Sequence, residues 1–135
     1  VREVQVTHAS CTVIVSRKPG GTWRAASDFR RLNAITKRGV HPLPMPGRYP
    51  DGPVWAQLFT SVDMYKGYWQ VPMLEADMEK AAFNTPAGLY EWMFMPMGLA
   101  SASATYQAMM EEILAQFLFK CVVVYLDGVF IYSNS

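Results

Sequence analysis

The 135-residue chain has few of the features that mark specialised protein classes. Its only two cysteines, Cys11 and Cys121, lie inside apolar runs, which predicts small core residues and not a disulfide framework or a metal site. No apolar run approaches the roughly 18 residues that a membrane-spanning helix needs, and no secretory signal precedes the first strand-like segment. We therefore expect no membrane partner and a reducing, intracellular setting. Because Val1 is not Met, we expect the chain to begin inside a larger reading frame.

The chain also has little net charge. A formal charge of +1 does not by itself indicate a nucleic-acid-binding protein. The distribution is more informative, since basic residues concentrate before residue 49 and acidic residues lie mostly from Asp51 onward. A basic first third suits a phosphate-facing surface, although a solvated face is the simpler alternative. The basic residues before residue 49 include Arg17, Lys18, Arg24, Arg30, Arg31, Lys37, Arg38 and Arg48.

The first half of the chain predicts a β-hairpin followed by an extended connector. Residues 11–16 and 22–29 are strand-like, and Pro19-Gly20-Gly21 between them predicts a turn. Residues 41–53 contain five prolines, which fix φ and remove backbone donors, so we expect neither helix nor central strand there. A strand is then predicted to end at Asp63, followed by a compact turn over 67–71.

The second half predicts one helical turn, two hairpins and one long helix. The helical turn covers 75–80, and the first hairpin pairs 81–85 with 89–94 around Pro86-Ala87-Gly88. A helix capped by Ser101 or Ser103 should run to about Lys120, because apolar residues recur from Tyr106 to Leu118 at helical spacing. We expect this apolar stripe to be core, packed on a sheet.

The second hairpin and the strand before it each carry one acidic residue at the end of an apolar run. Asp127-Gly128 separates two Val-, Ile- and aromatic-rich runs, a strong signal for a hairpin turn and no more than that by itself. Asp63 ends the earlier strand. Two carboxylates, each exposed at the end of a buried strand, could together hold divalent metal ions against a substrate phosphate.

The order of the segments resembles one known family, the reverse transcriptases of long-terminal-repeat retroelements, and within it the Ty3/gypsy-like group. Any single segment is weak evidence, whereas their order along the chain is specific. The matching segments are Trp23-Arg24, Asp28-Phe29-Arg30-Arg31-Leu32-Asn33, Pro42-Leu43-Pro44, Phe59-Thr60-Ser61-Val62-Asp63 with Gly67-Tyr68, Lys80-Ala81-Ala82-Phe83, Met95-Pro96-Met97-Gly98-Leu99, Ala104-Thr105-Tyr106-Gln107 and Val124-Tyr125-Leu126-Asp127.

The resemblance implies an α+β fold, a right-hand polymerase fragment in which helices pack on an antiparallel sheet. Residues 1–135 would form one truncated reverse transcriptase domain. Its fingers-like parts would be about 1–48 and 74–100, and its palm-like parts about 54–73 and 101–135. Because the chain stops at Ser135, shortly after the second hairpin, we expect the thumb and the RNase H region to belong to the remainder of a polyprotein.

The resemblance also implies a reaction and its residues. Asp63 and Asp127 would be catalytic metal ligands for two Mg²⁺ ions, with Mn²⁺ as a possible replacement, in RNA-directed DNA polymerisation. The partners would be an RNA or DNA template with primer and deoxynucleoside triphosphates, and the setting a cytoplasmic particle or the nucleus. Gln107 would be structural or template-facing. Nucleotide-binding roles fall by resemblance on Arg17, Lys18, Arg24, Tyr68, Met97 and Gly98.

One departure from the family concerns the metal site. The family motif Tyr-x-Asp-Asp stands here as Tyr125-Leu126-Asp127-Gly128, so one carboxylate is missing. We expect impaired metal binding and turnover with an intact hairpin, since Asp-Gly is a favourable turn. The alternative is a non-catalytic decayed or domesticated nucleic-acid-binding remnant. A palm polymerase copying RNA into RNA is disfavoured by Tyr68, whose bulk would exclude a 2′-hydroxyl.

Overall fold

The computed structural model of the chain describes residues 1–3, 11–17, 19–42 and 56–134, without the side chains of Ser16 and Arg24. From residue 43 onward, the predicted proline-rich connector lies outside the described residues. The chain divides into two compact units, the first formed by Val1–Arg38 with Tyr68–Ala102 and the second by Gly39–Gly67 with Ser103–Ser135. Assignment of fingers-like and palm-like roles to parts of the chain stays a prediction.

The described elements are eight strands, three α-helices and two 3₁₀ helices. In chain order they are β1 (Arg2–Glu3), β2 (Cys11–Arg17), β3 (Trp23–Ser27), α1 (Arg30–Ile35), β4 (Leu58–Asp63), a 3₁₀ helix (Gly67–Gln70), α2 (Glu75–Met78), a second 3₁₀ helix (Glu79–Ala81), β5 (Phe83–Thr85), β6 (Gly88–Glu91), α3 (Ala102–Ile113), β7 (Val122–Tyr125) and β8 (Gly128–Ser133).

The first unit contains a sheet of strand order β1-β6-β5-β2-β3 within the described residues. The predicted hairpins β2–β3 and β5–β6 are both present and antiparallel. The junction between them is parallel, with Cys11 opposite Phe83, so the sheet of this unit is mixed and not purely antiparallel. Buried Phe83 and Ala82 place this junction in the core of the unit.

The predicted strand over 22–29 is shorter than expected, because a helix begins where its end was placed. β3 stops at Ser27, and the Arg30 backbone N–H donates to Asp28 Oδ1 at 3.1 Å. A side-chain acceptor two residues upstream favours a turn over an extended strand. The Asp28 side chain therefore closes a turn just before α1 (Arg30–Ile35), a helix whose N-cap is Phe29 and which the sequence analysis did not predict.

The second unit contains a sheet of strand order β4-β8-β7 within the described residues. Its buried side chains include Val122, Val124 and Val129, which share one face of the pleat. Tyr106, Gln107 and Met110 of α3 are also buried. The start of the predicted apolar stripe is therefore core.

The end of α3 differs from the prediction. The helix stops at Ile113, which is 61% exposed, and the chain reaches β7 through turns. Phe119 has a φ of 60°, and the Phe117 carbonyl accepts hydrogen bonds from the backbone N–H groups of Lys120, Cys121 and Val122. A carbonyl shared in this way closes a turn and cannot continue a regular helical ladder. The helical spacing of apolar residues therefore continues to Leu118, although α3 ends at Ile113.

The sequence has only two cysteines and no long apolar run. Cys11 and Cys121 are free thiols and half-buried, and burial raises the pKa of the Cys11 thiol. In the part of the chain that the structure describes, none of the helices has both the length and the apolar character required to span a bilayer.

Candidate active site

The register of the second sheet brings the neighbourhoods of Asp63 and Asp127 together. Asp63, the last residue of β4, lies directly opposite Gly128, the first residue of β8. Immediately beyond this pair, the Met64 backbone N–H donates to the Asp127 carbonyl oxygen at 2.9 Å. The fold thus places two distant parts of the sequence, each carrying one carboxylate, at the same end of the sheet.

The hairpin that carries Asp127 is present, but its turn is not the predicted Asp-Gly turn. Tyr125 pairs with Gly128, so the two loop residues are Leu126 and Asp127. Leu126 has a φ of 53°, whereas Gly128 is not among the residues of positive φ. The favoured two-residue hairpin loops have a positive φ at their first position, where Gly, Asn and Asp are the usual residues. Here Leu126 occupies that position, and the missing family carboxylate falls at a regular strand position.

The two carboxylates suit a divalent cation that is partly held by another ligand. Asp63 and Asp127 are both exposed. Within residues 1–3, 11–17, 19–42 and 56–134, no three His, Cys, Asp or Glu side chains form a group that could hold a metal ion. Mg²⁺ in phosphate-handling proteins is typically bound by one or two carboxylates, waters and substrate phosphates. The donor set fits such an ion.

Gln107 bonds to the backbone next to Asp127, a position that the sequence analysis did not resolve. It is fully buried in α3, which rules out the template-facing interpretation. Its Oε1 accepts a hydrogen bond from the Leu126 backbone N–H at 2.7 Å, and its Nε2 donates to the Val124 carbonyl at 3.0 Å. The available signal was a single amide side chain within an apolar helical stripe. Buried polar groups are normally hydrogen-bonded, so such a residue predicts a specific partner.

The segment after β4 is fixed by close packing at Gly67. Lys66 has a φ of 54°, and the 3₁₀ helix that carries Tyr68 begins at Gly67. A Cβ at Gly67 would lie 2.5 Å from the hydroxyl oxygen and 2.8 Å from Cζ of the buried Tyr106 ring. Only glycine fits beneath that ring without displacing it. Tyr68 itself is half-buried.

The predicted phosphate-binding residues lie on the β2–β3 hairpin of the first unit. Arg17 is exposed, its Nε donates to the Gly21 carbonyl at 3.3 Å, and its guanidinium lies 5.7 Å from the Trp23 ring centroid. Arg24 pairs with Ser16 in the β-ladder. Lys18 lies outside the described residues. The structure therefore places Arg17 and the backbone of Arg24 on one hairpin.

Met97 and Gly98 lie in an exposed loop of the same unit. Gly98 has a φ of 99°, which strongly favours glycine. Asn33 Nδ2 donates to the Gly98 carbonyl at 2.8 Å, and the Ala100 backbone N–H donates to Asn33 Oδ1 at 2.8 Å. The positive φ and these bonds explain why glycine occupies position 98. A role of Gly98 in contacting template or nucleotide stays a prediction.

A basic groove borders α1 in the first unit. Its volume is about 930 Å³, and its lining includes Arg30, Arg31 and Lys80. Arg30 is paired with Asp28, and Lys80 Nζ lies 2.5 Å from Asp77 Oδ1. Asp28 also lines the groove, so two of the three cations in its lining are paired with carboxylates.

Solved structures of foamy viral protease-reverse transcriptases share the fold of this chain. A foamy viral protease-reverse transcriptase in complex with an RNA/DNA hybrid superposes with a TM-score of 0.78 at 18% identity, covering 97% of this chain and 17% of that one. A second foamy viral structure, in complex with ds DNA, gives a TM-score of 0.76 at 18% identity and covers 97% and 22% respectively. These likenesses establish the architecture.

Sequence similarity also shows the family of this chain. Residues 16–135 match the family described as reverse transcriptase (RNA-dependent DNA polymerase), and the chain belongs to that family. It is 37% identical over 139 residues to the retrovirus-related Pol polyprotein from transposon 297 of Drosophila melanogaster. It is 31% identical over 135 residues to the transposon Tf2-3 polyprotein of Schizosaccharomyces pombe. All of this chain is covered, but only 13% and 10% of the length of those relatives. The retroelement resemblance predicted from the motifs is confirmed.

Proposed function

We propose that this chain is the part of a retroelement reverse transcriptase that carries the nucleotidyl-transfer site. The reaction would be RNA-templated addition of deoxynucleotides to a primer 3′-hydroxyl. The observation that supports it best is the register that sets Asp63 opposite Gly128 with Met64 bonded to Asp127. Two exposed carboxylates therefore lie at one end of the β4-β8-β7 sheet, in a chain whose family catalyses this reaction.

Enzymes of this family use divalent metal ions, and Asp63 and Asp127 would hold two Mg²⁺ ions or their Mn²⁺ replacements. When bound, such ions neutralise charge on the attacking and leaving oxygens of an in-line displacement. The protein's share is to fix the two carboxylates through the β4–β8 ladder and to leave them accessible to a triphosphate. Both carboxylates are exposed, as that role requires.

Nucleotide recognition would fall on residues of the first unit, among them Tyr68. Arg17 and Arg24 would contact the triphosphate, because guanidinium groups meet phosphate oxygens with paired hydrogen bonds, and the Lys18 ammonium would add a positive charge beside them. Tyr68 would exclude a ribose 2′-hydroxyl by its bulk, with Met97 and Gly98 lining the pocket. Tyr68→Ala should then admit ribonucleotides, whereas Tyr65→Ala, at a nearby and 78% exposed tyrosine, should not. Unchanged sugar selectivity in Tyr68→Ala contradicts the assignment.

Template, primer and the other parts of a polyprotein would be the partners, and a cytoplasmic particle or the nucleus the setting. The relatives are polyproteins of transposons, and the similar solved structures carry an RNA/DNA hybrid or ds DNA. The basic groove beside α1 offers Arg30 and Arg31 for nucleic-acid phosphates.

Gly128 favours a second candidate, a non-catalytic nucleic-acid-binding remnant. Gly supplies no oxygen ligand, and the described residues contain no third side chain that completes a metal site. The first candidate, a reverse transcriptase, predicts reduced turnover with the fold retained. The second, a non-catalytic remnant, predicts no turnover. Each tenfold loss of turnover corresponds to only about 1.4 kcal/mol of transition-state stabilisation, so a weakened site can still work.

Primer extension on an RNA template separates these candidates. The chain is joined to the thumb of a transposon relative and assayed with Mg²⁺ and then Mn²⁺ as the parent, Asp63→Asn, Asp127→Asn and Gly128→Asp. Extension by the parent that Asp63→Asn and Asp127→Asn abolish supports a working site with two carboxylates. Extension by Gly128→Asp alone identifies the remnant. Extension that survives both Asn substitutions contradicts the proposal.

A further inference from the structure

A chain of hydrogen bonds runs from the interior of the second unit to the turn that carries Asp127. Gln107, fully buried in α3, bonds to the backbone on both sides of Tyr125. Its Oε1 accepts from the Leu126 N–H at 2.7 Å, and its Nε2 donates to the Val124 carbonyl at 3.0 Å. The side chain therefore bonds both to the end of β7 and to the first loop residue.

Leu126, which bonds to Gln107, has a backbone conformation that is unfavourable for its residue type. Leu126 has a φ of 53°, a conformation that costs an L-residue free energy and persists only where its surroundings fix it. Gly would adopt this φ freely, but the sequence has Leu. Asp127 follows directly, so the direction of its carboxylate depends on the backbone of Leu126.

The orientation of the Gln107 amide is itself determined. Its Nε2 also donates to Glu111 Oε1 at 2.7 Å, and Glu111 Oε2 lies 3.0 Å from His41 Nε2. An amide nitrogen cannot accept, and a carboxylate cannot donate, so a flipped amide would lose all three of its bonds. Glu111 and His41 are 29% and 31% exposed, which connects the buried amide to the surface.

We propose that Gln107, oriented by Glu111, is a positioning residue that holds the Leu126-Asp127 turn in the conformation in which Asp127 binds a divalent cation. The inference rests on the proposed function for the cation and on the three hydrogen bonds for the mechanism. Glu111 acts through Gln107 and touches neither cation nor substrate.

The test uses the 135-residue chain and two readouts that do not require polymerisation. Mn²⁺ affinity is measured by paramagnetic line broadening, and the Leu126 amide is followed by hydrogen exchange. Exchange of the Tyr132 amide, which bonds to the Cys121 carbonyl in the β-hairpin, reports general loosening. The variants are Gln107→Met, which keeps the volume without the hydrogen bonds, and Glu111→Gln. Matched controls are Gln116→Met and Glu112→Gln, the same changes at exposed positions.

Gln107→Met should weaken Mn²⁺ binding at least tenfold and speed Leu126 exchange at least tenfold, with Tyr132 exchange unchanged. Glu111→Gln should weaken binding about threefold relative to Glu112→Gln, which removes the same charge, and it decides the matter if Gln107→Met does not fold. Adding Leu126→Gly to either variant should restore at least half of the lost affinity on a logarithmic scale, since Gly needs no support at that φ.

Two results overturn the inference. One is parent-like Leu126 exchange in Gln107→Met, or in Glu111→Gln if only that variant folds. The other is faster Leu126 exchange with unchanged Mn²⁺ affinity. Asp63→Asn separates this failure from that of the proposed function. If Asp63→Asn leaves Mn²⁺ affinity unchanged, the two-carboxylate site is wrong, whereas if it lowers affinity and Gln107→Met does not, only the positioning role is wrong.

Discussion

Asp63 lies directly opposite Gly128 at the end of the β4–β8 ladder. Gly128, which stands where the Tyr-x-Asp-Asp motif has its second carboxylate, is therefore the cross-strand partner of Asp63, one of the two proposed metal ligands. Any carboxylate restored at position 128 would enter next to Asp63, where directly opposed Cβ atoms are about 4.5–5.5 Å apart. The pairing links the retained and the lost parts of the site.

Restoring that carboxylate should not disturb the fold. Gly128 has no positive φ, and an added Cβ would come within 3.3 Å of Cε2 and 3.6 Å of Cζ of Phe130, whose ring is 46% exposed and can move. Gly128→Asp and Gly128→Ala should both melt within a few degrees of the parent by circular dichroism. Only Gly128→Asp should bind Mn²⁺ more tightly. A melting temperature at least 10 °C lower in Gly128→Ala contradicts the placement of Gly128 in a regular strand.

Gly67 should tolerate no side chain. A Cβ there would overlap the buried Tyr106 ring at 2.5–2.8 Å, so Gly67→Ala must displace it. Overpacking of this kind costs about 1–3 kcal/mol of unfolding free energy, measurable by urea denaturation. Gly20→Ala is the control, because nothing lies within 4 Å of its Cβ position. Equal stability of the two variants contradicts the close packing.

Asp28 should titrate abnormally low. The Arg30 side chain and backbone N–H both donate to its carboxylate, which lowers the pKa of Asp28 to about 2. Because the folded pKa lies below the unfolded one, the stabilisation is complete above about pH 4 and is lost as the pH falls toward 2. Arg30→Gln should return the carboxyl toward its ordinary pKa in an NMR titration, and Arg31→Gln should change it little. A normal pKa in the parent contradicts the pairing.

Asn33 should stabilise the loop that contains Met97 and Gly98. Its amide donates to the Gly98 carbonyl and accepts from the Ala100 N–H, both at 2.8 Å. Asn33→Ala removes both bonds and should cost about 1–3 kcal/mol in urea denaturation. Asn84→Ala, at an exposed position of β5, should cost much less. Similar costs at the two positions indicate that the bridge is not formed in solution.

The sequence was sufficient for features that depend on residue type and spacing. The β2–β3 hairpin, the strand ending at Asp63 and the hairpin carrying Asp127 all follow from apolar alternation and turn residues. Motif order identified the family, which the residue 16–135 match confirms. The roles of Arg17, Lys18, Arg24, Tyr68, Met97 and Gly98 stay predictions.

Features that depend on tertiary hydrogen bonds could not be predicted. Asp127-Gly128 was assigned to the turn because Gly favours positive φ, yet the register of β8 uses Gly128 as a paired residue and leaves Leu126 at a φ of 53°. That geometry depends on Gln107, far away in sequence. α3 likewise ends before its apolar spacing does, because the turns around Phe117 satisfy the backbone differently.

The most direct test of the account is whether Asp63 and Asp127 form one cation site. Mn²⁺ is titrated into the isotope-labelled chain, and line broadening is followed at the amides of residues 63, 64, 127 and 128 in the parent, Asp63→Asn and Gly128→Asp. A site shared by the two aspartates predicts that all four amides broaden at the same Mn²⁺ concentration, that Asp63→Asn weakens the effect at 127 and 128 as well, and that Gly128→Asp strengthens it about tenfold. Broadening at only one aspartate, or at both with independent affinities that Asp63→Asn does not couple, would contradict it.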